Sequence, residues 1–231
     1  MNQYEVFIYC GGKCGSMTLV NTFSFYNYRT LHVHGEEQFR EEYGDSIFDV
    51  IDHSDYNKIY FIDSYRLPIE RKISSFFENI KLHVPDYVSK TTLELISYFN
   101  ENLINTIEDY HPINEIMTHD NIPTFTAMDF ENRYNIVEGN NRVYIKLLFR
   151  DIHKWSSILT TIFGVDIILM NQNTTKDKDI YPVYEEFLSR YLVPVSYIDD
   201  ILSEDAEFKI YNTEQEQEEY IQKWRYLSKT N

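Results

Sequence analysis

Cations are scarce in this chain of 231 residues: 21 lysines and arginines face 37 aspartates and glutamates, for a net charge of −16. That balance excludes a broad nucleic-acid surface, because neutralising backbone phosphates takes clustered Lys and Arg. A small anionic ligand needs only a local basic pocket, and the surrounding negative field disfavours strongly anionic co-substrates. Cysteine is nearly absent. Cys10 and Cys14 stand alone, with no second pair at zinc-ligand spacing, which predicts reduced thiols and no metal site. Cys14, beside Lys13, is the candidate reactive thiol. Seven glycines and six prolines, with no Ser/Gly tract, leave no linker between two halves. One domain over 1–231 is therefore expected, with a core through 164 and a helical extension over 165–231. No apolar run approaches the roughly 20 residues that span a bilayer, and MNQYE lacks the basic flank and apolar core of a signal peptide. These absences predict a soluble, cytoplasmic chain without a transmembrane segment.

What is present is an apolar content of 43% with 20 tyrosines and 15 phenylalanines, enough for a real core. The organising stretch is YEVFIYCGGKCGSMTL, Tyr4 to Leu19. Val6 to Tyr9 read as a buried strand, Cys10 to Gly15 as a glycine-bearing loop, and a helix opens at Ser16. Strand, loop and helix start make an anion cradle: glycines allow close backbone approach, and the first helical turn aims N–H groups and a positive dipole end at the ligand. Lys13 adds a full charge, and Ser16 and Thr18 add hydroxyls. The Walker order of Gly-Lys-Ser/Thr is not met, because Lys13 precedes Gly15 and Cys14 follows the lysine. A glycine turn with a solvated lysine is the plain alternative.

The order Lys13-Cys14-Gly15-Ser16-Met17-Thr18-Leu19 resembles the loop with which sulfotransferases grip 3′-phosphoadenosine 5′-phosphosulfate (PAPS). A second junction carries the same likeness. The strand KIYFID, Lys58 to Asp63, leads into SYRLPIERKISSFFENI, where Pro68 suits a first helical position, Glu70 a capping-box acid, and Ile69, Ile73, Phe76, Phe77 and Ile80 an apolar stripe. Arg66 and Ser74 stand at the spacing of the family segment Arg-Asp-Pro-x-x-Arg-x-x-Ser, whose first Arg and Ser hold the 3′-phosphate. Leu67 replaces the family's Asp, which removes a helix cap worth about 1 kcal/mol. LLFRDI with Trp155, and the ending FKIYNTEQEQEEYIQKW, are similar to bacterial capsular-polysaccharide sulfotransferases. An ordinary amphipathic helix remains the plain reading of the second segment taken alone.

The resemblance implies an α/β fold with a mainly parallel, P-loop-like sheet flanked by helices, and transfer of a sulfuryl group from PAPS to a hydroxyl of a carbohydrate or small molecule. Gly12, Lys13, Cys14, Gly15, Ser16, Met17, Thr18, Arg66 and Ser74 would hold the donor, with Lys13 stabilising charge on the departing phosphate and no metal required. The general base falls to Glu36, at the family position after the second strand, or to His34, since cytosolic members use a histidine. Glu36 and Glu37 as an acidic helix start, and His34 as a hydrogen-bonded structural group, stand beside those roles. His32 and His34 as a metal pair lack a third ligand. Glu115 and His119 are candidates for the acceptor side, in a segment, His111 to Val137, expected to be irregular. Helices are expected over Thr91 to Tyr110, from Arg150 to a stop at Gly164, over Tyr181 to Tyr191, over Ser196 to Leu202, and over Thr213 to Leu227 with Thr213 and Glu216 as a capping box. A polar loop is expected over Asn171 to Lys178. Two other functions stay open: a nucleotide kinase or triphosphatase, and a non-catalytic nucleotide- or glycan-binding protein on the same scaffold.

Overall fold

A computed structural model describes residues 4–105, 112–170 and 178–229. In chain order the elements are β1 (Val6–Tyr9), α1 (Ser16–Phe25), β2 (Thr30–Val33), α2 (Glu36–Tyr43), α3 (Ile47–Asp52), β3 (Ile59–Tyr65), α4 (Pro68–Glu78), α5 (Ile80–His83), α6 (Thr92–Asn102), α7 (Pro112–His119), β4 (Tyr134–Gly139), β5 (Arg142–Leu148), α8 (Trp155–Phe163), α9 (Tyr181–Arg190), α10 (Leu202–Glu204), α11 (Ala206–Ile210) and α12 (Glu214–Lys229). The chain divides into two compact units, Met1–Arg66 with Tyr110–Asn173, and Leu67–Asp109 with Thr174–Asn231. This partition differs from the expected cut after 164. The first unit keeps Ile167 and Leu169 in its core, while 67–109 belongs with the C-terminal helices.

The first unit is built on a five-stranded sheet in the order β2-β1-β3-β5-β4. The first four strands are parallel and β4 runs antiparallel on the edge, so the mainly parallel α/β expectation holds. Every residue of β1 and β3 is buried, as a parallel sheet covered on both faces demands. The period of two sorts β1 between the faces. Val6, Ile8 and Cys10 pack with Leu19 and Phe23 of α1 and Trp155 and Leu159 of α8, whereas Phe7 and Tyr9 pack with Ile47 and Ile51 of α3 and Ile113 and Ile116 of α7. β1 ends level with β2, Tyr9 against Val33, and β3 ends level with β5, Tyr65 against Leu148. Cys10, His34, Arg66 and Phe149 therefore leave the sheet at one edge, the carboxyl ends of the strands where open α/β sheets bind ligands.

The segment expected to be irregular instead contains α7 and the start of β4. Ile113, Ile116 and Met117 of α7 are buried at helical spacing, and β4 exists because it pairs with β5, a partner that no local window reveals. The helix expected from Arg150 opens with a tight turn over Phe149–Lys154 before α8 begins at Trp155. It stops at Gly164, whose φ of 68° is the left-handed conformation glycine adopts freely.

In the second unit, α4, α6, α9 and α12 enclose an aromatic core of Phe76, Phe99, Phe187, Tyr191 and Trp224. Thr213 and Glu216 form the expected capping box on α12, at 2.9 and 3.2 Å. Glu70 caps nothing on its own helix. The Tyr220 hydroxyl accepts the Ile69 N–H at 3.1 Å and donates to Glu70 Oε2 at 2.6 Å, so α12 supplies the acceptor that Leu67 cannot. α6 covers Thr92–Asn102, shorter than expected, and residues 106–110 of the expected helix lie outside the described residues, as do 171–177 of the expected polar loop.

Candidate functional site

The turn from β1 into α1 is built on two positive-φ residues, Lys13 at 66° and Gly15 at 88°. The first is strained for a residue with a Cβ. Gly15 is required for a second reason. A Cβ there would lie 3.0 Å from the rings of Phe149 and Trp155. No side chain caps α1, and Gly15 is its N-cap, so the helix start is left to backbone donors and the positive dipole end. Lys13 is half-buried and Gly12 exposed. Cys14 points inward, its thiol toward the Gly12 carbonyl at 3.5 Å and only 2% exposed. It is a structural thiol. Ser16 and Thr18 are buried too, at 6% and 7% exposure, and the Ser16 hydroxyl bonds the Cys10 sulfur. Burial and the nearby Asp63 push the Cys10 thiol well up. Met17 is 41% exposed.

Arg66 joins Lys13 directly. Its Nη1 donates to the Lys13 carbonyl at 2.8 Å, and its guanidinium lies 4.6 Å from the Phe149 ring centre, a cation–π contact. Phe149 thus stands between Arg66 and Gly15, and Trp155 is fixed behind it by an Nε1–H bond to the Leu148 carbonyl at 3.0 Å. The Ser64 hydroxyl donates to the Cys14 carbonyl from below. The ends of β3 and β5 brace the loop that follows β1. Ser74 belongs to α4, in the second unit.

Asp63 and Lys146 face each other in register on β3 and β5, Nζ to Oδ2 at 2.7 Å, with side chains 1% and 3% exposed. The other Asp63 oxygen accepts the Ser64 N–H at 2.7 Å. In nucleotide triphosphatases an aspartate on the neighbouring strand holds magnesium. Here that carboxylate has a buried ammonium on one oxygen and backbone on the other. Neither Lys146 nor Asp63 was among the expected site residues, although a charge inside KIYFID and another inside YIKLLF each call for a buried partner.

The two candidate bases differ in their surroundings. Glu36 opens α2, with one oxygen on Arg40 at 2.6 Å and the other accepting the Ile47 N–H at 2.9 Å. Burial acts to raise its pKa, but the Arg40 and Ile47 bonds outweigh it and hold the acid below its ordinary value. His34 Nδ1 lies 2.7 Å from the Cys10 carbonyl. A carbonyl only accepts, so Nδ1 carries a proton, and in the neutral ring Nε2 is then the acceptor. Comparison with protein-family models, curated proteins and solved structures finds no match for the chain.

The remaining candidates lie elsewhere in the first unit. Glu115 accepts the Tyr9 hydroxyl at 2.7 Å. His119 stacks on Phe48 with ring centres 4.5 Å apart and approaches Asp52 at 3.3 Å. With Asp120 these two could offer three ligand atoms within 4.8 Å of one another. Arg142, however, pairs with both carboxylates, and Tyr144 bonds Asp120. That network begins where β5 begins, at the edge of the sheet opposite the loop. Among the described residues no helix is long and apolar enough to cross a membrane.

Proposed function

We propose that the chain is a PAPS-dependent sulfotransferase acting on a hydroxyl group. The observation that carries this reading is the convergence of Lys13 and Arg66 on one loop between a buried parallel strand and an uncapped helix start. Two cations and a helix dipole suit an anion with several oxygens. That local charge sits in a chain of net charge −16, so it is a feature of the site rather than of the surface. Lys13, Arg66 and the backbone from Gly12 to Thr18 would hold the donor. PAPS supplies the sulfuryl group and a phosphate as leaving group. Lys13 then meets negative charge where it grows on that phosphate.

His34 takes the acceptor proton at Nε2. The Cys10 carbonyl holds the ring by Nδ1, fixing the tautomer a base requires. Glu36 instead caps α3 and pairs with Arg40. The alternative of a nucleotide kinase or triphosphatase draws on Asp63, which lies on β3, the buried strand beside β1; its pairing with Lys146 weighs against magnesium work there.

Calorimetry on the full chain tests the reading. Adenosine 3′,5′-bisphosphate is expected to bind without a divalent ion and ATP with magnesium more weakly, with Lys13→Ala and Arg66→Ala each losing at least about tenfold in affinity, the scale of one charge-assisted hydrogen bond. His34→Ala is expected to keep binding and lose transfer in a sulfate-donor assay. Preference for ATP with magnesium would move the assignment to the alternative.

A further inference from the structure

The last paired residues of β3 and β5 are Tyr65 and Leu148, so the residue after each, Arg66 and Phe149, leaves the sheet beside the other. Their side chains meet there. The Arg66 guanidinium carbon lies 4.6 Å from the Phe149 ring centre, inside the roughly 6 Å reach of a cation–π contact. Phe149 is half-buried and closely surrounded. The fully buried Trp155 meets it edge to face with ring centres 6.3 Å apart, and Gly15 is near enough that an added Cβ would stand 3.0 Å from the ring. The ring that faces Arg66 is therefore fixed by packing against the end of β5, the start of α8 and the loop glycine.

What holds a cation decides what that cation can still do. A carboxylate fixes an arginine and cancels its charge, whereas an aromatic face attracts the guanidinium through the ring quadrupole and brings no opposite charge of its own. The second contact gives the direction. Arg66 Nη1 donates to the Lys13 carbonyl at 2.8 Å, which lays the guanidinium on the loop and uses one of its five N–H donors. A long side chain that must be ordered when a ligand arrives lowers the affinity, and one ordered beforehand does not.

We propose that Phe149 is a positioning residue of the anion loop: its ring holds Arg66 against the loop before the ligand binds, and the electron density of that ring sets the affinity for the anion. Phe149 acts through Arg66 and needs no contact with the ligand. The inference rests on the anion-binding part of the proposed function, and inorganic pyrophosphate probes it apart from any adenosine donor.

Calorimetry on the full chain, with inorganic pyrophosphate and adenosine 3′,5′-bisphosphate as probes, tests it. Replacing Phe149 by mono-, di-, tri- and pentafluorophenylalanine keeps the ring's shape and drains its face of negative charge, so the affinity is expected to fall stepwise, by about threefold to tenfold across the series. In an Arg66→Ala background the same series is expected to be flat, a result that packing alone would not give. Should the fluorinated chains misfold, Phe149→Leu is expected to show the same loss and Phe149→Tyr to stay within about twofold of the parent. A flat series in the parent, an equal slope without Arg66, or Phe149→Leu binding as the parent does overturns the positioning role and leaves the sulfotransferase reading standing. A stepwise fall for pyrophosphate in a protein that does not bind the bisphosphate keeps the role and removes that reading, and a parent that binds neither anion overturns both.

Discussion

The two ends of the sheet in the first unit gather charge in opposite ways. Where the strands begin, Arg142 sits on Asp52 and Asp120, Tyr144 bonds Asp120, and His119 closes beside Asp52. Where they end, Arg66 rests on a carbonyl and an aromatic face, and Lys13 occupies a strained turn at a helix start. The first arrangement neutralises itself across α3, α7 and β5 and acts as a staple. The second sets an arginine on the backbone carbonyl of a loop lysine, at the start of a helix that no side chain caps. A list of charged residues would treat both alike. The chemistry of what each cation touches separates them.

The largest effect is expected beneath the loop. Lys146→Met strands the Asp63 carboxylate in the core, a loss of about 3–5 kcal/mol by urea denaturation, whereas Asp63→Leu with Lys146→Met recovers most of it. A single variant as stable as the parent would mean that the pair is not buried as described. Gly15→Ala comes next. Positive φ and the 3.0 Å approach to Phe149 and Trp155 predict a loss of about 1–3 kcal/mol together with loss of bisphosphate binding, read by the same denaturation and by calorimetry.

Asp120→Asn at the opposite edge should destabilise by about 1–3 kcal/mol and leave bisphosphate affinity unchanged. An equal loss of binding would erase the contrast between the two ends. The smallest effect is Glu36→Gln, about 0–1 kcal/mol for a pair whose arginine is largely exposed, with transfer retained under the proposal that His34 is the base. The Glu36 acid is lowered in the folded state, so its contribution is present above the unfolded value of 4.5 and disappears as pH falls through the folded one. Glu36→Gln should flatten that acid limb. His32 acts at higher pH. With its folded pKa near 4 against 6.5, the unfolded chain takes the proton first, so stability falls as pH drops from 6.5 to about 4. His32→Phe should remove that slope in a thermal-melt series.

Elements whose signals are local were legible before any coordinates. β1, the loop and α1 follow from an apolar run, glycines and a helix start; the end of α8 follows from Gly164; and α12 follows from Thr213 and Glu216. α7 carried its signal in Ile113, Ile116 and Met117, but the prolines around it masked the period. β4 had no local signal, since an edge strand with alternating exposure is defined by its partner. The difference between Glu36 and His34 was equally hidden: both follow β2, and only the Arg40, Ile47 and Cys10 contacts distinguish their surroundings.

The amino-acid order alone determined a buried first strand, a glycine-bearing turn after it and the helix that the turn opens, because hydrophobic period, glycine placement and helix-start chemistry act within a few residues. Tertiary structure alone decided that Arg66 lies on the Lys13 carbonyl, that Lys146 neutralises Asp63, that Ser74 belongs to another unit, and that the His32 Nε2 is buried without a hydrogen bond. Each of these depends on which strands pair and in what register, and pairing between residues dozens of positions apart is settled by burial of the whole sheet.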